Sequence, residues 1–197
     1  MTFTLYLPKV ISILIDDDLL LRSYKPEDAP ELFRCVDGSR EHLRPFLNWV
    51  DNTTRVEHSL QFIQMATTQL NNAEGFALGI YLQESRRLIG GIGMHNYIPE
   101  QGRAQIGYWI SKVYEGRGLM LRSAQRFIDF LFQRLQLNKI EIHCIPENLR
   151  SLELAHRLGA IEEGRIRQSY LRNGQLEDIV VTGILRKEWV GRGTLIG

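Results

Sequence analysis

The 197-residue chain lacks several features that would place a protein in a class at once. It has no run of 18 or more apolar residues, so no membrane-spanning helix is expected. Its net charge of +1 argues against broad electrostatic capture of nucleic acid or of an acidic membrane surface. Its beginning lacks the charged-then-apolar order of a secretory signal. A cytoplasmic protein without nucleic-acid or membrane partners is therefore expected.

Cysteine is also scarce. The two cysteines, Cys35 and Cys144, lie far apart, which favours two buried thiols in a reducing compartment. The chain contains no Cys-x-x-Cys and no His-Glu-x-x-His, so no metal site is predicted. The acidic run Asp16–Asp18 is typical of a solvated turn rather than of a cation site. With 44% hydrophobic residues and no low-complexity tract, residues 1–197 are predicted to form one domain.

One segment with two closely spaced glycines is present, and the chain is organised around it. An apolar strand ending at Tyr108-Trp109-Ile110-Ser111 is followed by Glu115-Gly116-Arg117-Gly118 and then by an amphipathic stretch that predicts a helix. Glycines allow the backbone to turn sharply and to approach a ligand. The first turn of a helix offers unpaired amides to phosphate oxygens. The segment therefore predicts a pyrophosphate-binding loop, with Arg117 adding a positive charge.

Two common phosphate-binding loops are excluded here. The chain has no Gly-Lys pair, so it lacks the nucleoside-triphosphate loop. The dinucleotide fingerprint needs a third glycine three residues after the second, and that position is Leu121.

The remaining elements are predicted from apolar periodicity and turn residues. Two strands flank the aspartates, and a helix begins near Pro26. Thr53 or Thr54 is predicted to cap a second helix, with Glu57 completing a capping box. The apolar side of that helix is predicted to carry Leu60, Ile63, Met65, Ala66 and Leu70. Antiparallel strands follow, the first of them at Phe76–Leu82, and then a strand–helix–strand unit that implies a parallel pair. Asn148 opens a short helix that Gly159 closes, and a hairpin turns at Asn173-Gly174, while residues 187–197 are predicted to be peripheral.

These features together resemble the GNAT acetyltransferase superfamily. The loop is similar to its acetyl-CoA pattern Gln/Arg-x-x-Gly-x-Gly/Ala, although Glu115 and Met120 depart from it. The strand Ala104–Ile110, the pair Asn148-x-x-Ser151 followed by Leu158-Gly159, and the last hairpin are similar to the RimJ/RimL branch. Within that branch the likeness is to the YdaF-type ribosomal-protein N-acetyltransferases, over about residues 19–189.

The resemblance implies an α/β (α+β) fold: a mixed, mostly antiparallel sheet whose central parallel strands splay apart around acetyl-CoA, flanked by helices. It implies that backbone amides of the loop bind the pyrophosphate and that the preceding strand pairs with the pantetheine arm. It also implies that Ser151 protonates the leaving thiolate, and that a homodimer could form by the habit of the family. The residues expected to bind the cofactor are Trp109, Ile110, Ser111, Glu115, Gly116, Arg117, Gly118, Leu119, Met120, Asn148 and Ser151.

Two family positions are altered in this chain. A tyrosine seven residues after the asparagine is replaced by Ala155, so that tyrosine is excluded as the acid. A glutamate of the family strand is replaced by Gln105, which cannot act as a base. The base could be a water chain, or one of the four side chains Tyr108, His95, Glu141 and His143. A backbone N–H of the central strand would polarise the thioester carbonyl.

The acceptor stays open at this stage. By the resemblance, His42, Trp49, Tyr108 and Tyr170 are candidates to bind it. An N-acetyltransferase acting on a protein N-terminus, such as that of a ribosomal protein, is predicted to work by direct transfer in a ternary complex. The alternatives are an acetyltransferase of a polyamine, aminoglycoside or amino acid, and a non-catalytic acyl-CoA-binding regulatory module.

Overall fold

A computed structural model describes residues 7–172 and 174–189 of the chain. Eight strands in this part form one sheet, in the order β1-β2-β3-β4-β5-β6-β8-β7. Every neighbouring pair is antiparallel except β5 and β6, which are parallel. The strands are β1 (Ser12–Leu14), β2 (Leu19–Ser23), β3 (Phe76–Leu82), β4 (Leu88–Ile98), β5 (Arg103–Ile110), β6 (Lys139–Cys144), β7 (Ile161–Arg172) and β8 (Gln175–Leu185).

Seven α-helices accompany the sheet in the same described ranges. They are α1 (Ala29–Asp37), α2 (Arg40–Leu43), α3 (Trp49–Asn52), α4 (Val56–Asn71), α5 (Leu119–Gln133), α6 (Leu149–Arg157) and α7 (Arg186–Trp189). Short 3-10 turns lie at Pro26–Asp28 and Lys112–Tyr114. None of the helices in these ranges is long and apolar enough to cross a membrane.

Helix α5 packs on one face of the sheet because its apolar residues recur at helical spacing. Ala124, Phe127, Ile128 and Leu131 have no exposed surface. They meet alternate residues of β5 and β6 in one core cluster that includes Ala104, Ile106, Ile140 and Ile142. Helices α1 and α4 form a second cluster with Tyr81 and Leu88 on the sheet. The sheet therefore has helices on both faces, as the resemblance implies.

The parallel strands β5 and β6 pair over a short stretch and then separate. Their register covers Arg103 with Lys139, Ala104 with Ile140, and Gln105 with Glu141. Beyond Gln105 strand β5 runs on to Ile110 without a partner on that side, although β4 still pairs with its other edge. The predicted mixed sheet with splayed central strands is confirmed.

Two local predictions are wrong. The residue before α4 is Arg55 rather than a threonine, and no side chain caps this helix. Instead the imidazole of His58 accepts a hydrogen bond from the amide of Thr54, at 3.2 Å. Met65, assigned to the apolar face of α4, is 51% exposed.

The end of the chain also differs from its prediction. Residues 186–189 form helix α7, and Trp189 is 5% exposed rather than peripheral. Its indole Nε1–H donates to Asp129 at 2.7 Å, and its ring packs against Phe132. Residues 190–197 and the predicted turn residue Asn173 lie outside the described residues.

Candidate functional site

A cavity of about 650 Å³ opens where β5 and β6 separate. One wall is the end of β5, at Tyr108, Trp109 and Ile110, continued by the glycine loop and the start of α5. The opposite wall is the first part of helix α6, from Asn148 onward. A third side comes from α2 and the loop after it, with His42, Leu43, Phe46 and Leu47. Eleven of the residues proposed from the sequence line this cavity: His42, Tyr108, Trp109, Ile110, Glu115, Gly116, Gly118, Leu119, Met120, Asn148 and Ser151.

The glycine loop presents an open row of amides to the cavity. Gly116 and Gly118 have φ values of +76° and +71°, which side chains with a Cβ rarely adopt. No atom lies within 4 Å of a Cβ built on either glycine, so the space above the loop is free. The first internal hydrogen bond of α5 runs from the amide of Arg122 to the carbonyl of Gly118. The amides of Leu119, Met120 and Leu121 precede it and have no partner inside the helix.

The polar groups of Ser111, which was expected to contact the cofactor, form hydrogen bonds within the protein. Its amide donates to the carbonyl of Ile89 at 2.8 Å, and its carbonyl accepts from the amide of Tyr114 at 2.9 Å. Its buried hydroxyl accepts a hydrogen bond from that of Ser39 at 2.9 Å. Because amides point to alternate sides along a strand, the amides and carbonyls of Tyr108 and Ile110 face the parted edge instead.

Glu115 stands where the acetyl-CoA pattern has Gln or Arg, and three basic side chains surround its carboxylate. Arg150 of α6 donates to it at 2.6 Å, Lys112 at 3.2 Å, and the Nε2 of His42 lies 3.4 Å away. Burial, together with the charges of Lys112 and Arg150, lowers the pKa of His42, although Glu115 acts in the opposite direction. The carboxylate of Glu115 therefore connects three walls of the cavity, and the positive charges of Lys112 and Arg150 offset its negative charge.

Helix α6 places a hydroxyl at the inner end of the cavity. The side-chain oxygen of Asn148 accepts a hydrogen bond from the amide of Ser151 at 3.2 Å, so the predicted N-cap is confirmed. The phenol oxygen of Tyr108 lies 3.1 Å from the hydroxyl oxygen of Ser151. Burial raises the pKa of Tyr108, so this phenol stays protonated. Two protonated hydroxyl groups from opposite walls thus meet inside the site.

Besides Ser111, three of the residues proposed to bind the cofactor or the acceptor do not line the cavity. Arg117 is exposed and its guanidinium lies 5.6 Å from the ring centre of Tyr114. Trp49 is 39% exposed and meets Trp109 edge to face, with ring centres 6.0 Å apart. Tyr170 lies in β7, opposite Glu177 of β8.

The β7–β8 hairpin is nevertheless attached to the side of the site. Arg172 donates to the carbonyl of Pro45 at 3.0 Å, and the side chain of Asn48 donates to the carbonyl of Leu171. These bonds connect the hairpin to the loop between α2 and α3. The last hairpin therefore contacts the loop between α2 and α3, while Trp49 and Tyr170 are outside the cavity lining.

Sequence reasoning missed the basic residues Lys112, Arg150 and Arg157, which line the cavity mouth. Arg150 follows Asn148 by two positions, so it projects from the first turn of α6. To predict that Arg150 lines the cavity, one would have to know that α6 lies opposite the glycine loop. Leu43, Phe46 and Leu47 come from a segment whose mixed periodicity gave no direction to its apolar side chains.

The thiols and the acidic side chains carry no signs of nucleophilic or metal chemistry. Burial raises the pKa of Cys35 to about 12 and also raises the pKa of Cys144. Neither thiol is therefore ionised near neutral pH. Within residues 7–172 and 174–189, no three His, Cys, Asp or Glu side chains are grouped so that they could hold a metal ion.

The comparisons with known proteins agree with this geometry. A family model described as an acetyltransferase (GNAT) domain matches residues 18–161. YdaF of Bacillus subtilis (strain 168), named a putative ribosomal N-acetyltransferase, is 28% identical over 178 residues, which cover 90% of this chain and 96% of YdaF. The ribosomal protein uS5-alanine N-acetyltransferase of Escherichia coli (strain K12) is 26% identical over 178 residues, which cover 89% of this chain and 92% of that enzyme.

Among solved structures, one of RimL, a ribosomal-protein α-N-acetyltransferase in complex with coenzyme A, superimposes with a TM-score of 0.85. It is 22% identical, and the match covers 90% of this chain and 99% of RimL. At that identity the likeness concerns the fold.

Proposed function

Because this chain belongs to the GNAT acetyltransferase family, we propose that it transfers the acetyl group of acetyl-CoA to the N-terminal α-amine of a protein, such as a ribosomal protein. The observation that carries the proposal is the cavity between the parted strands. It has the start of α5 at one end and the Ser151 hydroxyl on the facing wall. The proposed acceptor class rests on the names of the relatives: YdaF is named a putative ribosomal N-acetyltransferase, and the second relative is named an alanine N-acetyltransferase of ribosomal protein uS5.

The loop fits the donor on its own geometry. Five consecutive amides, from Gly116 to Met120, would bind the pyrophosphate, and the helix dipole favours the negative charge there. The free edge of β5 would pair with the amide-bearing pantetheine arm in the manner of an added strand. Tyr108 and Ile110 are the residues whose backbone groups face that edge, with Trp109 between them. Asn148 would both cap α6 and face the arm.

Ser151 is the proposed acid. Its hydroxyl would give a proton to the departing sulfur, and the phenol of Tyr108, 3.1 Å away, would resupply it. The family tyrosine is replaced here by Ala155, which has no exposed surface in this fold. Tyr108 of β5 would supply the phenol group that α6 lacks.

Direct transfer is the proposed route. The protonated state of both thiols offers no nucleophile for an acetyl-enzyme, so the amine itself attacks the thioester carbonyl. A backbone amide on the free edge of β5 would stabilise the developing oxyanion. Trp49 and Tyr170 lie where the hairpin meets the early helices, and they would contact the residues behind the acceptor amine.

The test combines binding and turnover in one sample. Acetyl-CoA is titrated by calorimetry, and thiol release is then followed with N-terminal peptides, polyamines and free amino acids. Binding followed by release on peptides alone supports the proposal. Release only on small amines would replace the acceptor class, and binding without release on any amine would favour a regulatory acyl-CoA-binding module. Absence of binding would overturn the donor assignment.

A further inference from the structure

The proposed reaction still needs a group that takes the proton of the attacking amine, and the following inference rests on that proposed function. Gln105 stands at the position where the family has a glutamate. The sheet face around it, opposite α5, carries three further polar side chains: His95 of β4, and Glu141 and His143 of β6. They share this face because Ala104, Ile106, Ile140 and Ile142 alternate with them and lie in the core beneath α5.

Glu141 is held as a carboxylate. It is buried, with 3% of its side chain exposed, and it accepts hydrogen bonds from Arg103 at 2.7 Å and from Lys139 at 3.1 Å. Burial alone would raise the pKa of Glu141, but these two cations outweigh it and hold the pKa below its usual value. A carboxylate with two cations on one oxygen is a weak base, so Glu141 itself is unsuited to take the proton.

The second oxygen of Glu141 fixes the imidazole of His143. The Nε2 of His143 lies 3.1 Å from Oε2 of Glu141. Since a carboxylate only accepts hydrogen bonds, Nε2 carries the hydrogen, and the lone pair of a neutral ring then lies on Nδ1. In the described part of the chain, Nδ1 of His143 has no hydrogen-bond partner. Half-exposed on this face, the ring therefore offers a free acceptor atom.

The ring also lies where the strands begin to part. Gln105 and Glu141 are the last pair of the two strands, so His143, two residues beyond Glu141, lies where β5 and β6 have separated. Gly107 leaves room there, because a Cβ at this position would stand 3.3 Å from Nε2 of His95. Burial lowers the pKa of His95, as does the charge of His143 when that ring is protonated, and this favours the neutral form of His95. An amine that approached along this face would pass between the two imidazoles.

We propose that His143 is the general base of the reaction and that Glu141 is the residue that positions it. As the amine nitrogen bonds to the acetyl carbon, Nδ1 of His143 takes one proton from that nitrogen. The carbon–sulfur bond breaks, its electron pair stays on sulfur, and Ser151 supplies the sulfur with a proton. His143 then gives its proton to solvent, and solvent restores the proton that the Tyr108–Ser151 pair gave to the sulfur. An α-amine, with a usual pKa near 8, suits an imidazole base better than a lysine amine near 10.

The test compares His143→Gln with His156→Gln, which alters an exposed histidine of α6 outside the cavity lining. The kcat of His143→Gln is expected to fall about 100-fold, with the Kd for acetyl-CoA within about twofold of the wild type. The fall of kcat/KM at acidic pH should disappear in this variant, because it reports protonation of the base. Glu141→Gln should give a smaller loss and retain the acidic limb. His156→Gln should behave as the wild type.

A second readout does not depend on activity. Nitrogen-15 shifts of the imidazole should show the tautomer with hydrogen on Nε2 in the wild type, and a mixture of tautomers in Glu141→Gln. An active wild type with an unchanged His143→Gln variant would overturn the assignment while leaving the proposed function intact. The Nδ1–H tautomer in the wild type would overturn it as well, whether or not His143→Gln folds. A wild type that neither binds acetyl-CoA nor releases thiol would instead reject the proposed function.

Discussion

Arg150 donates to Glu115 at 2.6 Å, and this contact joins helix α6 to the glycine loop across the mouth of the cavity. It satisfies an acid that stands where phosphate groups are proposed to bind. Phosphate oxygens entering the loop would therefore compete with Glu115 for Arg150 and Lys112, and this competition yields the first prediction.

Glu115→Gln should tighten acetyl-CoA binding. The substitution removes one negative charge near the pyrophosphate and frees two cations to face it. Since these side chains are partly exposed, the gain is expected to be modest, about two- to fivefold in Kd, and to shrink as salt rises. Calorimetric titration at low and high salt measures it. Glu84→Gln, in the exposed turn between β3 and β4, is the matched control, and weaker binding by Glu115→Gln would show that the carboxylate has a different role.

Gly118→Ala should weaken acetyl-CoA binding without a steric clash. The space around the glycine is open, but its φ of +71° costs a residue with a Cβ about 1–2 kcal/mol. The loop is expected to relax away from that conformation and to lose at least one hydrogen bond to charged phosphate, worth about 1.5–3 kcal/mol, or tenfold or more in Kd. Gly164→Ala in β7 is equally open and has no positive φ. Equal affinities of the two variants would contradict the prediction.

Ser151→Ala should lower kcat about 100-fold, the scale of a lost proton donor, while the Kd for acetyl-CoA stays nearly constant. The helix should remain capped, because Asn148 binds the amide of Ser151 and not its hydroxyl. Tyr108→Phe is expected to lower kcat as well, and the double variant should lose little more than Ser151→Ala. Strictly additive losses in this double-mutant cycle would show that the two hydroxyl groups act independently of each other.

The free energy of unfolding should fall as the pH drops through about 6.5. The pKa of His95 and that of His42 are both lowered in the folded protein, chiefly by burial. The unfolded chain therefore binds more protons than the folded one below its histidine pKa of about 6.5. Urea unfolding at pH 8 and at pH 5.5 measures the difference. The difference in free energy of unfolding between the two pH values should be smaller in His95→Gln and smaller again when His42→Gln is added. An unchanged difference would show that these two histidines do not cause the pH dependence.

Trp189→Ala should destabilise the protein by about 3–5 kcal/mol, as expected for loss of a buried aromatic ring. Its indole is 5% exposed and hydrogen-bonded to Asp129. Trp49→Ala, at 39% exposure, should cost much less stability and should mainly raise the KM for the acceptor peptide. Chemical denaturation and steady-state kinetics on both variants distinguish the two tryptophans. Similar losses of stability would contradict the assignment of α7 to the core.

The sequence predicted what is encoded locally. The strand Phe76–Leu82 and the cap at Asn148 follow from residues within one turn or strand of each other. The same is true of Gly159, which has a φ of +82° where α6 ends. The order of elements along the chain predicted the parallel pair, and the glycine spacing indicated the loop that is proposed to bind phosphate.

What escaped prediction depends on distant segments. The partners of Glu115 come from positions 42, 112 and 150, so no local pattern reports them. Ser111 was assigned to the ligand, yet its backbone is used by Ile89 and Tyr114 through the way β4 and β5 meet. A threonine was predicted at the N-cap of α4, but the N-cap residue is Arg55. The ring of His58 accepts the hydrogen bond from the amide of Thr54, so the helix begins one residue later than predicted.

The bonds from Arg172 to Pro45 and from Asn48 to Leu171 have a consequence for how the acceptor preference can change. The proposed donor side of the cavity comes from residues 108–121 and 148–157. The proposed acceptor wall is assembled from two loops about 125 positions apart. Under the proposed function, a change of acceptor would require both loops to change together, while the donor side stays the same. A graft meant to exchange the acceptor should therefore carry both loops, because each loop supplies one of the two side-chain donors.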